Sequence, residues 1–141
     1  MPDPIIRPFL PEDSDAVTAL WQLVFPDDPP RNNPPEVIRR KLEVQPELFL
    51  VAVVSSNVIG TVLGGYDGFR GWIYHLAVHP GQQRLGYGRV LVEAIEQRLR
   101  KLGCPKLNLQ VRATNVATVE FYQALGYAIE DHVSLGKVLD D

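Results

Sequence analysis

The sequence predicts a mixed α/β fold in the order β-α-α-β-β-β-α-β-α-β, and three observations predict it. Apolar residues recur at three- and four-residue spacing in some stretches and form short β-branched runs in others. Three strand signals follow one another between residues 48 and 78. Much of the sheet is therefore antiparallel, and a purely doubly wound fold is disfavoured. Finally, a strand ending at Val78 passes through a loop carrying Gly86 and Gly88 straight into an amphipathic helix.

Each element has its own signals. Ile5 to Phe9 is a first strand, and Asp13 or Ser14 can cap the helix whose buried face is Val17, Leu20, Trp21 and Val24. Residues 26–35, Pro-Asp-Asp-Pro-Pro-Arg-Asn-Asn-Pro-Pro, continue neither helix nor strand, because proline lacks the N–H donor and fixes φ. This segment reads as a rigid connector and, compatibly, as a loop lining an acceptor pocket. Pro35 suits the first turn of a second helix with Val37, Ile38 and Leu42 on its apolar face. Residues 48–54 and 58–66 form a hairpin about Ser55-Ser56-Asn57, and residues 72–78 the next strand. Gly64, Gly65, Gly68 and Gly71 suggest bulges or close backbone approach there. A long helix from about Gly86 carries the stripe Leu91, Ile95, Leu99 and Leu102 and is capped by Gly103. A strand over 107–111, a helix over 115–125 closed by Gly126, and a last strand over 127–133 complete the order.

At 141 residues the expectation is one domain, 1–141, able to bury a core of its own. A formal net charge of −3 argues against a nucleic-acid partner held by a basic surface. The single cysteine, Cys104, excludes an internal disulfide framework and fits a reducing compartment. No apolar run approaches the roughly 20 residues of a transmembrane helix, and no signal-peptide pattern opens the chain, so a cytoplasmic protein without a membrane partner is expected. His75, His79 and His132 have no metal-ligand spacing, and no metal is expected.

The loop before the long helix is suited to an anion. The first N–H groups of a helix lack intrahelical acceptors, the helix dipole adds positive potential, and glycine lets a diphosphate approach the backbone. Arg84 and Arg89 add charge. A P-loop would need Gly-Lys-Ser/Thr, whereas the chain has Gly88-Arg89-Val90. A dinucleotide fingerprint would need a third glycine where Leu91 stands. Instead, Gln83-Arg84-Leu85-Gly86-Tyr87-Gly88 resembles the Gln/Arg-x-x-Gly-x-Gly/Ala motif of the GCN5-related N-acetyltransferases (GNAT). Leu76-Ala77-Val78-His79-Pro80 is similar to that family's lead-in. Residues 115–127 resemble its second motif, Asn-x-x-Ala-x-x-Phe-Tyr-x-x-x-Gly-Phe, with Thr118 where alanine is usual. Residues 64–71 with 103–106 further resemble a bacterial branch of generic acetyltransferases of undefined acceptor.

The resemblance implies a GNAT fold, a central, mostly antiparallel twisted sheet flanked by helices. It also implies acetyl-CoA as acetyl donor. The backbone amides of Arg84, Leu85, Gly86, Tyr87, Gly88 and Arg89 would bind its pyrophosphate, with Gln83 ordering the loop. Leu76, Ala77 and Val78 would offer main-chain groups to the pantetheine arm, and Asn115 would cap its helix, hydrogen-bond that arm, or both. Tyr122 stands at the family position for protonating the departing thiolate, with Phe121 assigned to the core. Many members carry a carboxylate on the strand before the loop, and residues 72–76 have none. His75 can serve as base, with an unperturbed pKa of about 6.5; Tyr74, Asp67 or ordered water remain rivals. Strand alternation puts Tyr74 and His75 on opposite faces. The implied activity is transfer of the acetyl group to a primary amine, on a small molecule or a peptide, by direct attack. A protein N-terminal acetyltransferase of the ribosomal-protein type and a non-catalytic acyl-CoA-binding module are the alternatives. Members of the family often pair through sheet edges, so the resemblance admits a homodimer.

Overall fold

A computed structural model describes residues 3–139. The chain divides into two compact units, one ending at Leu109 and one beginning at Gln110.

The first unit carries β1 (Ile5–Pro8), α1 (Ser14–Val24), α2 (Pro34–Glu43), β2 (Phe49–Val54), β3 (Asn57–Tyr66), β4 (Gly71–Val78), α3 (Tyr87–Lys101) and β5 (Leu107–Asn108). The strands form one sheet in the order β1-β2-β3-β4-β5. Every neighbouring pair is antiparallel except β4 and β5. The hairpin between β2 and β3 turns on Ser55 and Ser56, both at positive φ (50° and 65°), which matches the twist of the flanking strands. Side chains alternate across the sheet, so β2 is buried on both faces. Phe49 and Val51 join Val17, Leu20, Trp21, Val37 and Ile38 under α1 and α2. Across the sheet, α3 lays Leu91, Val92, Ile95 and Leu99, all buried, against β3 and β4. Gly64 is what lets α3 come that close: a Cβ there would lie 2.6 Å from Cγ1 of Ile95. Within the cluster of glycines, Gly64 thus marks a helix–sheet contact.

The two ends of the sequence-predicted stripes are not core. Leu42 is 40% exposed, because its neighbour Lys41 reaches the sheet instead and donates from Nζ to the Gly64 carbonyl at 2.6 Å. Leu102 is 47% exposed, because α3 ends at Lys101 and Gly103, at φ 84°, turns the chain away. Asp13 does not cap α1 through its side chain. Its carboxylate accepts from both terminal nitrogens of Arg7, at 2.7 and 2.9 Å, and from the Leu10 amide at 2.8 Å.

The Arg7 guanidinium and the Leu10 amide hold the Asp13 carboxyl below the usual carboxylate range, against the opposing effect of burial. A depressed carboxyl pKa stabilises the fold above the unfolded value of about 3.9, and that contribution disappears as pH falls through the folded value. Asp13→Asn is therefore expected to cost about 1–3 kcal/mol at pH 7 by leaving Arg7 half-satisfied. The gap between variant and wild type in urea denaturation should close below about pH 4. A gap unchanged with pH would show that the charge plays no part.

The second unit contains α4 (Val116–Ala124), which starts where the Asn115 side chain accepts from the Thr118 amide at 3.3 Å. Gly126, at φ 97°, closes it. Residues 127–133 form no strand: Ile129 and Val133 are 76% and 86% exposed, and alternating apolar residues do not make a strand without a paired ladder. The fifth strand signal is also shortened, from 107–111 to β5 at Leu107–Asn108.

Candidate functional site

The site begins with an irregularity in β4. Leu63 lies opposite Tyr74 and Thr61 opposite Ala77, so β4 holds one residue more than β3 between these pairs. The extra residue is a β-bulge, and within it His75 adopts φ 48°, a left-handed conformation that side chains other than glycine rarely take. A relay holds the bulge. The Trp21 Nε1–H donates to Thr61 Oγ1 at 2.8 Å, and the Thr61 hydroxyl donates to the His75 carbonyl at 2.9 Å. Thr61 and Trp21 are both buried, so neither water nor salt competes for these bonds.

The bulge overturns the expectation of opposite faces for Tyr74 and His75. Directly opposed cross-strand residues share a face. Tyr74, opposite Leu63, and Ala77, opposite Thr61, therefore both face α1. His75, between them, packs on that same side, 4.7 Å from the Trp21 ring and edge-on to Phe25 at 5.2 Å. Tyr74 is half-exposed and stacks on Trp72. Burial and the negative charge of Asp67 push its hydroxyl above the usual value. Asp67 itself closes the β3–β4 turn, accepting from the Phe69 and Arg70 amides at 2.8 Å each.

His75 lines a cleft with the proline-rich segment after α1. The cleft has a volume of about 310 Å³, and Trp21, Phe25, Asp28, Pro29, Pro30 and Asn33 are among its walls. His75 Nε2 lies 3.8 Å from Asp28 Oδ2, beyond hydrogen-bond reach. Burial lowers the His75 pKa, and the Asp28 charge partly opposes that shift. Burial thus favours the neutral imidazole, with a carboxylate placed to stabilise it once protonated.

At its other end β4 leads into the glycine loop. The Gln83 side chain donates from Nε2 to the Val78 carbonyl at 3.1 Å and ties the loop to the strand end. His79 Nδ1 accepts from the Gly81 amide at 3.1 Å. Arg84 and Gly86 both take positive φ (66° and 87°), and α3 starts at Tyr87, whose ring is buried. The first intrahelical bond runs from the Val90 amide to the Gly86 carbonyl, so the amides of Gly88 and Arg89 belong to the turn that points out of the helix. Leu85 is partly exposed, and the Arg89 guanidinium is engaged with Glu93 at 2.9 Å rather than standing beside the loop as a lone charge.

Between loop and bulge, β4 has an unoccupied edge. Its pairing with β5 covers Gly71 and Trp72, and among the described residues no strand continues that side from Ile73 to Val78. Leu76, Ala77 and Val78 lie on this stretch. The pairing with β5 ends at Trp72, three residues before His75 in the bulge.

Of the sequence-predicted residues, the structure places His75, Leu76 to Val78 and Gln83 to Arg89 on one strand–loop–helix run of the first unit. Asn115 and Tyr122 belong to the second unit. Tyr122 is buried, edge-on to Phe121 and to Tyr127, and burial pushes its hydroxyl above the usual value. Phe121, expected in the core, is the less buried of the two. Sequence reasoning missed Asp28 and Thr61. Asp28 carried a signal, an acid inside the proline-rich segment already read as a pocket wall, whereas an isolated strand threonine carries none. Among the described residues no helix is long and apolar enough to cross a membrane.

The model of the acetyltransferase (GNAT) family matches residues 15–127. A Yersinia pestis protein named acetyltransferase is 43% identical over 137 residues, 95% of this chain and 94% of its own. Among solved structures, Ard1 from Thermoplasma volcanium superposes with a TM-score of 0.80 at 26% identity, covering 91% of this chain and 84% of its own. AAC(6')-Iy, solved with a bisubstrate analogue of CoA and acetylneamine, shares the fold with a TM-score of 0.79 at 16% identity, covering 97% and 99%.

Proposed function

Because the chain belongs to the acetyltransferase (GNAT) family, we propose that it moves the acetyl group of acetyl-CoA to a primary amine by direct attack, with residues 1–141 acting as one domain. The observation that carries this reading is the build of β4. One strand bears the bulge that turns His75 into a cleft, an edge open from Ile73 to Val78, and the glycine turn that follows.

In this reading the amides from Arg84 to Arg89 receive the pyrophosphate, and Gln83 keeps them in place by holding the Val78 carbonyl. Leu76, Ala77 and Val78 offer backbone groups to the pantetheine arm, as an open strand edge can. Ala77 contributes only its main chain, since its side chain is buried. Asn115 adds a hydrogen bond to the arm while capping α4. His75 Nε2 takes the proton of the amine, directly or through water, as nitrogen bonds to the acetyl carbon. The carbon–sulfur bond breaks, and the Tyr122 hydroxyl gives its proton to the sulfur. A tyrosine hydroxyl is protonated at neutral pH, so the proton is there to give.

Equilibrium titration with acetyl-CoA, followed by a free-thiol assay over amines and peptides, tests the reading. Saturable binding with amine-dependent thiol release is expected. Binding with no release on any acceptor would favour a non-catalytic acyl-CoA module, and release confined to peptide N-termini would favour the N-terminal enzyme. Tyr122→Phe should lower kcat about 100-fold with little change in acetyl-CoA affinity; unchanged turnover removes Tyr122 as the acid.

A further inference from the structure

We propose that the cleft beside His75 selects small monoamines with an apolar body and no carboxylate near the nitrogen, held by Asp28 and His75 together. The inference rests on the acetyltransferase reading above and adds the class of acceptor. Three features of the cleft carry it.

The first is the spacing of its two ionisable groups, Asp28 and His75. Asp28 Oδ2 and His75 Nε2 are 3.8 Å apart, too far to bond to each other. A single nitrogen about 2.9 Å from both would see them at an angle of about 80°, within the range an amine can serve with one N–H to each. Asp28 receives the cationic form by charge, and His75 is placed to take a proton from the same nitrogen.

The second feature is charge count. Among the described residues that line the cleft, Asp28 is the one carboxylate, and there is no lysine or arginine. One carboxylate matches one ammonium, whereas a polyamine would bring further charges with no second carboxylate in the cleft to meet them. An amino acid would bring a carboxylate with no cation to meet it.

The third feature is size and wall chemistry. About 310 Å³ is at the small end of ligand pockets. Phe25 and four prolines (Pro26, Pro29, Pro30 and Pro34) supply apolar surface, and the prolines fix the wall's backbone in advance. Gln22, Asn32 and Asn33 line the cleft as well, and between them this rigid carbon surface favours a flat or aliphatic body.

The test uses 2-phenylethylamine, spermidine and L-lysine as probes on the full chain with CoA present. In a Trp72→Phe background, Trp21 is the remaining tryptophan and reports the cleft by fluorescence. We expect 2-phenylethylamine to quench Trp21 saturably, Asp28→Asn to weaken that binding at least 10-fold, and Asp28→Glu to restore part of it. In acetyl transfer, kcat/KM for 2-phenylethylamine should exceed that for spermidine and L-lysine at least 10-fold. Preference for either competitor, or binding indifferent to Asp28→Asn, overturns the proposal. Asp28-dependent binding of 2-phenylethylamine without transfer to any amine would instead sustain the cleft's selectivity and overturn the acetyltransferase reading. The two failures are thereby distinguished.

Discussion

Gly86→Val is expected to weaken acetyl-CoA binding by about 100-fold or more, a loss of about 2.8 kcal/mol. Gly86 sits at φ 87°, and valine pays a strain of about 1–3 kcal/mol in that region. A Cβ at this position meets nothing within 4 Å, so the substitution does not crowd the protein. The loss comes from the backbone leaving the left-handed region and from methyl groups filling the space the diphosphate needs. Gly86→Asn separates the two effects, because asparagine tolerates the left-handed conformation while still adding a side chain. It should bind more tightly than the valine variant and more weakly than wild type. Arg89→Ala should change affinity much less, since that guanidinium is already engaged with Glu93. Isothermal titration with acetyl-CoA, checked against thermal midpoints, measures all three. Wild-type affinity in Gly86→Val would remove the pyrophosphate from this loop.

Thr61→Val should lower acetyl transfer at least 10-fold while leaving acetyl-CoA affinity near wild type. The change is nearly isosteric, but it removes the hydroxyl that joins the Trp21 indole to the His75 carbonyl. Two buried polar groups lose their partner, at about 1–3 kcal/mol each. A left-handed residue of the His75 kind costs about 1–3 kcal/mol and persists only where its surroundings hold it. Without the relay, β4 can relax toward ordinary pairing, which swings His75 out of the cleft. Trp21→Phe retains the bond from Thr61 to His75 and should preserve more activity than Thr61→Val. Turnover in Thr61→Val equal to wild type, with stability lowered, would confine the relay to a structural role.

Much of the fold was legible because its signals are local. Pro35 falls in the first turn of α2, Gly103 and Gly126 close α3 and α4, and three strand signals in a row give the antiparallel part of the sheet. The glycine loop was legible for the same reason, since a turn at positive φ before a helix is written in adjacent residues. Where the reading failed, a nonlocal partner decided the outcome. Leu42 lost its place to Lys41 and the Gly64 carbonyl, Asp13 was drawn from its cap by Arg7, and residues 127–133 had strand-like alternation but no ladder.

The sequence by itself determined the order of elements as far as α4, the family resemblance and the glycine turn before α3, because caps, glycines and periodicity act within a few positions. Only the tertiary structure decided what surrounds His75. Trp21, Asp28 and Thr61 come to it from two helix-linked segments and a neighbouring strand, 54, 47 and 14 positions away in the chain. One inserted residue in β4 then cancels the alternation from which its direction would be read. Side-chain direction along a strand has a period of two only while the pairing stays in register, and here a buried relay holds the break in place.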